Sequence, residues 1–200
     1  MRPLSAVLLA AGASRRLGQP KQLLSHHGEP LVRRAARAAL EAGVDKLVVV
    51  VGAEAEAVTA ALEGLELRIV QHPQWAEGMG SSIAAGVRAA SGASVLILAA
   101  DQPAVDAALL RQLVAGMEAG HTRVACAYAG VVGIPALFSS AADLAVLRGL
   151  TGDRGARDLL REGGDDLLAI SAEQAAIDID DSDDWGRWLA ASSSDGAHRA

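Results

Sequence analysis

Arg15, Arg16 and Lys21 stand close together in the stretch Leu9-Ala10-Ala11-Gly12-Ala13-Ser14-Arg15-Arg16-Leu17-Gly18-Gln19-Pro20-Lys21. The small residues ahead of the cations leave backbone N–H groups open, and successive N–H groups form an anion-binding nest. A guanidinium forks onto phosphate oxygens, and an ammonium adds a point charge. A triphosphate is the natural guest of such a loop. The second chemical signal is Asp101-Gln102-Pro103, delivered by the apolar run Ser94–Ala100. A lone carboxylate at a strand end beside a turn proline is either an Asx-type turn or a metal ligand. Magnesium takes one or two carboxylates and fills its shell with water and substrate phosphates. Together, a phosphate loop and a metal carboxylate point to transfer chemistry at phosphorus, where positioning and charge neutralisation suffice without a protein nucleophile.

Two common glycine loops are excluded. A P-loop needs Gly-x-x-x-x-Gly-Lys-[Ser/Thr], but Gly12 and Gly18 are wrongly spaced and Gln19 follows; Ala13-Ser14 break a Gly-x-Gly-x-x-Gly fingerprint. Cys126 is the single cysteine and sits in an apolar run, so it reads as a buried small hydrophobe, and no Cys/His spacing resembles a zinc site. A formal net charge of −6 argues against general nucleic-acid binding. No apolar run reaches transmembrane length and the start carries no signal-peptide pattern, which predicts a cytoplasmic protein away from membranes.

These residues need a scaffold, and the apolar pattern supplies one. Ala6–Ala11, Lys46–Gly52, Leu67–Val70, Ser94–Ala100 and Thr122–Tyr128 read as strands. Helices are expected over Leu31–Ala42, Ala53–Leu62, from Ser81 to about Ala90, and over Val105–Met117. Their alternation implies right-handed crossovers and an α/β three-layer sandwich around a mostly parallel sheet. Ligands in such sheets sit beyond the carboxyl ends of the strands, where Gly12, Gly52 and His72 fall. With 51% apolar and only 2% aromatic residues, the core must be built from Ala, Val and Leu. His26 and His27 read as solvent-facing turn residues. Ile177–Asp180 reads as a short strand whose alternation aims Asp178 and Asp180 to one face, and Asp183 and Asp184 suit a helix N-terminus. Residues 1–190 are expected to form one domain, and 191–200 a polar, disordered tail.

The segment Leu9-Ala10-Ala11-Gly12-x-Ser14-x-Arg16-x-Gly18-x-x-Lys21 resembles the signature of the GT-A-like nucleotidyltransferases, and most nearly that of the molybdenum cofactor cytidylyltransferases. The resemblance extends through Gly78-Met79-Gly80-Ser81-Ser82, Asp101-Gln102-Pro103, Gly133-Ile134-Pro135, Gly152-Asp153-Arg154-Gly155-Ala156-Arg157 and Asp178-Ile179-Asp180. It implies a Rossmann-like GT-A fold that transfers CMP from CTP to the terminal phosphate of molybdopterin, with loss of pyrophosphate. By this resemblance Leu9, Ala10, Ala11, Gly12, Arg16 and Lys21 hold the nucleotide, and Gly80, Ser81 and Ser82 line its base and ribose. Asp101 and Asp180 hold Mg²⁺ or Mn²⁺, with Asp178 in reserve. Arg16, Lys21 and Asp101 are the catalytic set. Gly133 and Pro135 lie on the acceptor side. Arg157 meets the acceptor phosphate or, equally, makes a surface salt bridge. This chain departs from the family with His72 in place of asparagine and with Val132-Gly133-Ile134-Pro135 where Arg-Gly-Asn-Pro is usual. A sugar or polyol phosphate therefore stays open as acceptor, as does a non-catalytic assembly role toward a molybdoenzyme apoprotein.

Overall fold

Runs of β-branched and aliphatic residues, too short for helices and broken by Gly, Asn-free turns and Pro, form the central strands. In the computed structural model, which describes residues 3–162 and 164–196, the elements in chain order are as follows. Strand β1 (Leu4–Ala10) precedes a small hairpin of β2 (Ser25–His26) and β3 (Glu29–Pro30). Then come α1 (Leu31–Glu41), β4 (Lys46–Val51), α2 (Ala55–Ala61), β5 (Arg68–Gln71), α3 (Met79–Ala89), β6 (Ser94–Ala99) and α4 (Ala107–Glu118). The remainder is β7 (Arg123–Tyr128), β8 (Val131–Phe138), α5 (Ala141–Arg148), α6 (Arg157–Arg161), β9 (Leu167–Ser171) and α7 (Ser182–Gly196).

The main sheet has seven strands in the order β5-β4-β1-β6-β8-β7-β9. Strands β5, β4, β1 and β6 run parallel, β8 is antiparallel to both its neighbours, and β9 is parallel to β7. The α/β three-layer architecture expected from the sequence is present. The reversal at β8 has a local cause: Ala129 and Gly130 both take positive φ, 48° and 74°, the backbone of a two-residue hairpin turn.

Side-chain alternation divides the core between the two faces. Leu8, Val49, Val51, Leu96 and Leu98 point to the layer of α1, α2 and α4, and Val7, Val48, Val50, Val95 and Ile97 to α3, α5 and α6. Each such aliphatic side chain, fully buried, contributes about 1.5–3 kcal/mol. With so few aromatics the layers close through small residues. Ala35, Ala36, Ala38 and Ala39 of α1 are buried, and a side chain at Gly86 of α3 would collide with Val7 and Val50.

Three expectations are revised. Residues 177–180 form no strand. Helix α7 runs on to Gly196, beyond residue 190 where a tail was expected, and only 197–200 of that segment lie outside the described residues. His26 is not solvent-facing: α7 folds back over the hairpin, so His26 is 5% exposed, flanked by Trp185 and Trp188 and hydrogen-bonded to Ser192 Oγ at 2.9 Å. His27 remains exposed at the hairpin turn. Among the described residues no helix is long and apolar enough to cross a membrane.

Candidate active site

Strand β1 ends at Ala10, and the chain folds into a compact loop rather than continuing into a helix. Ser14 takes φ 50°, its carbonyl accepts from Leu17 N–H, and its hydroxyl accepts from Lys21 N–H at 2.9 Å. Buried Gln22 closes the loop from beneath, donating from Nε2 to Gly12 O at 2.7 Å and to Ala10 O at 3.4 Å. Opposite, Gly52 lets Trp75 lie against the strand end: a Cβ there would stand 2.5 Å from Trp75 Cβ and 2.8 Å from Ala11 O. Between these walls is a cavity of about 330 Å³. Arg15 and Lys21 line one side of it, Ala11 and Gly12 the floor, and Trp75, Met79 and Ser82 the other side.

Lys21 is the electrostatic hub. Its Nζ lies 2.5 Å from Asp101 Oδ2 and 3.0 Å from Asp180 Oδ1, and Asp180 Oδ2 lies 2.7 Å from Arg16. Burial alone would depress the Lys21 ammonium, but the two carboxylates outweigh it and raise its pKa above the ordinary value. Burial likewise works against the charge on Asp180, yet Lys21 and then Arg16 hold its carboxyl below the usual range. Asp178 behaves in the opposite way. Its side chain opens to the cleft, but crowding by protein and the nearby charge of Asp101 push its pKa up to about 7. Asp178 and Asp101 are thus carboxylates in mutual repulsion, whereas Asp180 is committed to two cations.

A second cavity, of about 600 Å³, adjoins the first and shares Met79, Ala99 and Asp101 with it. Its walls include Gln102, Tyr128, Gly133 and Ile134 on the sheet side, and Arg154 of the preceding loop with Arg157 and Asp158 at the start of α6 on the other. Gly133 is required here because a Cβ would stand 2.5 Å from the Tyr128 hydroxyl, which donates to Ile134 O at 3.0 Å. Burial, then the charge of Asp178, raise the Tyr128 phenol above its ordinary pKa. The loop side is fixed by backbone contact: Gly80 N–H donates to Gly152 O at 2.8 Å, and any side chain on Gly80 would strike the carbonyls of residues 151–154. Two cavities meeting at one carboxylate–ammonium pair can present two phosphorylated ligands to each other.

The sequence pattern of the MobA-like NTP transferase domain family matches residues 6–167. The chain belongs to this family. Among its relatives are the nicotine blue oxidoreductase of Paenarthrobacter nicotinovorans and the purine catabolism protein PucB of Bacillus subtilis. The first is 36% identical over 188 residues, 88% of this chain and 92% of its own length. The second is 34% identical over 196 residues, 90% of this chain and 91% of its own. Rv0371c of Mycobacterium tuberculosis superposes with a TM-score of 0.79 at 31% identity, covering 93% of this chain and 97% of its own. A nucleotidyl transferase of Methanothermobacter thermautotroptrophicus gives 0.77 at 30%, with 93% and 95% covered. A manganese complex of Rv0371c, at 29% identity, covers 93% of this chain and 97% of its own with a TM-score of 0.73.

In this MobA-like domain the expected site residues divide. Leu9, Ala11, Gly12, Lys21, Ser82 and Asp101 line the first cavity, and Gly133, Arg157 and Asp101 the second. Ala10 is a buried strand residue whose carbonyl holds Gln22. Gly80 serves helix–loop packing. Ser81 turns away from both cavities: its hydroxyl donates to Gly78 O at 2.8 Å and meets His72 Nε2 at 2.9 Å. Pro135 is buried in a bulge of β8, where the ladder skips from Ala125–Ala136 to Cys126–Gly133. Arg16 points to Asp180, outside the cavity, while its neighbour Arg15 lines it. Gln22, Gln102, Tyr128 and Arg154 carry no spacing signal of their own in the sequence and were not marked as site residues. Cys126 is buried and its thiol is pushed up to about 12 by desolvation, as an inert core residue should be. Among the described residues no three His, Cys, Asp or Glu side chains form a ready metal cage.

Proposed function

We propose that this chain transfers a nucleotidyl group from a nucleoside triphosphate, with CTP preferred, to the terminal phosphate of molybdopterin. The observation that carries the reading is the pair of adjoining cavities that share Asp101. One is walled by a cationic Gly/Ala loop and one by Arg154 and Arg157. In the first, Lys21, Arg15 and the loop backbone receive the triphosphate, and Trp75 and Met79 provide apolar surface for the base. In the second, Arg157 and Arg154 orient the acceptor phosphate. An acceptor oxygen attacks the α-phosphorus in line; a new P–O bond forms, the α–β bridge breaks, and pyrophosphate leaves with the bond electrons. Lys21 neutralises charge on the departing group, and the walls hold the reactants in register.

The donor set suits a divalent ion. Two oxygen ligands with raised mutual repulsion and a phosphate-filled remainder are what Mg²⁺ or Mn²⁺ takes, and a relative binds manganese. Asp101 is the first ligand. We assign the second to Asp178 rather than Asp180, because Asp178 lines a cavity with Asp101, whereas Asp180 has both its oxygens held by cations, Lys21 and Arg16, and Asp101 only one, by Lys21. When bound, the ion neutralises the triphosphate and polarises it toward attack.

Pyrophosphate release from CTP, GTP and ATP, with molybdopterin and Mg²⁺, tests the proposal. CTP-dependent release that disappears in Asp101→Asn supports it. A sugar or polyol phosphate is the second reading, favoured by the apolar Ile134 in the acceptor wall. Release only with such an acceptor decides for it. Tight nucleotide binding without release from any pair points to an assembly role toward a molybdoenzyme. The name of one relative speaks of an oxidoreductase. Following a reduced nicotinamide donor by absorbance in the same cuvette tests that chemistry.

A further inference from the structure

Gln102 follows the shared carboxylate directly and is 3% exposed. Its carboxamide does not pair with a neighbour in the chain. Nε2 donates to Ala175 O at 2.8 Å and to Ile134 O at 3.1 Å, across 73 and 32 residues. Ile134 lines the acceptor cavity, and Ala175 lies three residues before Asp178, which lines it from another segment. Ile134 lies in the bulge of β8 and also accepts the Tyr128 hydroxyl. Ala175 lies within a short turn at residues 173–176, from which the chain runs through Asp178 and Asp180 to α7. A second tie fixes the same segment, since Ile179 N–H donates to Asp101 O at 3.0 Å. One amide thus fastens three stretches of chain at the point where Asp101, Asp178 and the acceptor wall must keep a fixed spacing. Filling space is a poor account of it: Gln102 Oε1 is buried without a partner among the described residues, a state that an apolar side chain of equal size would avoid.

We propose that Gln102 is a positioning residue for the transfer, setting the acceptor wall and the segment that carries Asp178 against Asp101. This rests on the transferase reading, and it acts on one cavity of two. The Gly/Ala loop is closed by Gln22 and Ser14 instead, so Gln102 governs the acceptor side and the metal carboxylates and leaves the binding of metal-free nucleotide alone.

Gln102→Met keeps length and volume and removes both donors; Gln102→Asn keeps the amide but falls one methylene short. In the full chain three readouts are compared: affinity for nucleotide without divalent metal by Trp fluorescence, the acceptor KM and kcat, and hydrogen exchange at the amides of Ala175, Ile177 and Ile179. The expected result for Gln102→Met is nucleotide affinity within about twofold of the parent. Its kcat falls about 10- to 100-fold and its acceptor KM rises, as for a reacting group displaced by a fraction of an ångström to one ångström. Exchange at residues 175–179 quickens, and Gln102→Asn falls between. Unchanged kcat and acceptor KM overturn the proposal, and so does a loss of nucleotide affinity in step with kcat, which marks general unfolding. If the parent chain is silent with every acceptor while Gln102→Met still quickens exchange at 175–179 alone, the transferase reading fails and the fastening by Gln102 stands.

Discussion

The two cavities are built by opposite means. The nucleotide side is anchored on one continuous stretch: residues 9–22 supply a strand end, a loop, two of the cations and the glutamine that locks them, and residues 75–82 and 99–101 complete the walls. The acceptor side is a convergence of distant pieces, with Asp101 and Gln102 from the turn after β6, Gly133 and Ile134 from β8, residues 153–158 from a loop and the start of α6, and Asp178 from the segment before α7. Contiguous sites keep their geometry through local turns. Dispersed ones keep it through long-range hydrogen bonds to carbonyls, and a single lost side chain can therefore disturb several walls. The contrast teaches that sensitivity to mutation should differ between the sides more than their chemistry does.

The largest effect belongs where the sides meet. Asp101→Asn or Lys21→Met removes charge from the shared centre and should lower kcat about 1000-fold, as loss of a preorganised electrostatic group does. Steady-state pyrophosphate release measures it, and a loss under tenfold would place the reacting phosphorus elsewhere.

The next pair separates the sides. Arg15→Ala should raise the nucleotide KM about tenfold with acceptor KM unmoved, and Arg157→Ala the reverse, each loss being that of a charge-assisted phosphate contact. Equal shifts in both constants for either variant would merge the two cavities into one binding site.

This asymmetry also explains what could be read from residues alone. The Gly/Ala loop, Lys21 and Asp101 were legible because their chemistry is carried by residue types at fixed short spacing after an apolar strand. The parallel half of the sheet was legible for the same reason, as uninterrupted Val and Leu runs. Strands β8 and β9 and helix α5 were not marked: β8 begins at a turn, Ala129-Gly130, with a weak signal and carries Pro135 in a bulge, and β9 is short and half exposed. Asp178 and Asp180 were assigned to one face on the premise of a strand. The backbone there is irregular, so the two carboxylates part, one to Asp101 and one to Lys21 and Arg16. Ser81 and Gly80 matched a motif by position, yet their atoms are spent on packing. Position in a motif does not fix where a hydroxyl points.

Acid–base behaviour sharpens the division between those carboxylates. Asp178, with a folded pKa of about 7, binds its proton more tightly in the folded chain than when unfolded. Its contribution to stability is present below the ordinary carboxylate range and is lost as pH rises through about 7. A divalent ion bound between Asp101 and Asp178 must displace that proton, so Mn²⁺ affinity should climb about tenfold between pH 6 and 8. Asp178→Asn should flatten the climb and weaken binding. Asp180→Asn should leave the pH profile in place and, by freeing Lys21 and Arg16, strengthen the binding of metal-free nucleotide. Titration by calorimetry at several pH values reads all three. A flat profile in the parent chain would return the second ligand to Asp180.

The smallest effect is expected farthest from the phosphates, where α7 is clasped to the hairpin. Desolvation, then the nearby His27 and Arg34, hold the His26 pKa below its ordinary value. The folded chain thus keeps His26 neutral, hydrogen-bonded to Ser192 and flanked by Trp185 and Trp188. The sign is opposite to that of Asp178: this contribution is present above the unfolded pKa of histidine and is lost as pH falls through the lower folded value. Protonation adds a cation beside Arg34 in a pocket that offers it no carboxylate among the described partners, so the clasp should loosen in mild acid. In thermal melts from pH 7.5 to 5.5, run in an Asp178→Asn background because Asp178 stabilises in the opposite direction over this range, the chain should lose a few degrees, about what a 1 kcal/mol change produces in a domain of this size. His26→Phe, which fills the same apolar space without a titrating ring, should remove the His26 part of that slope. An equal slope in the variant would move the acid sensitivity to another group.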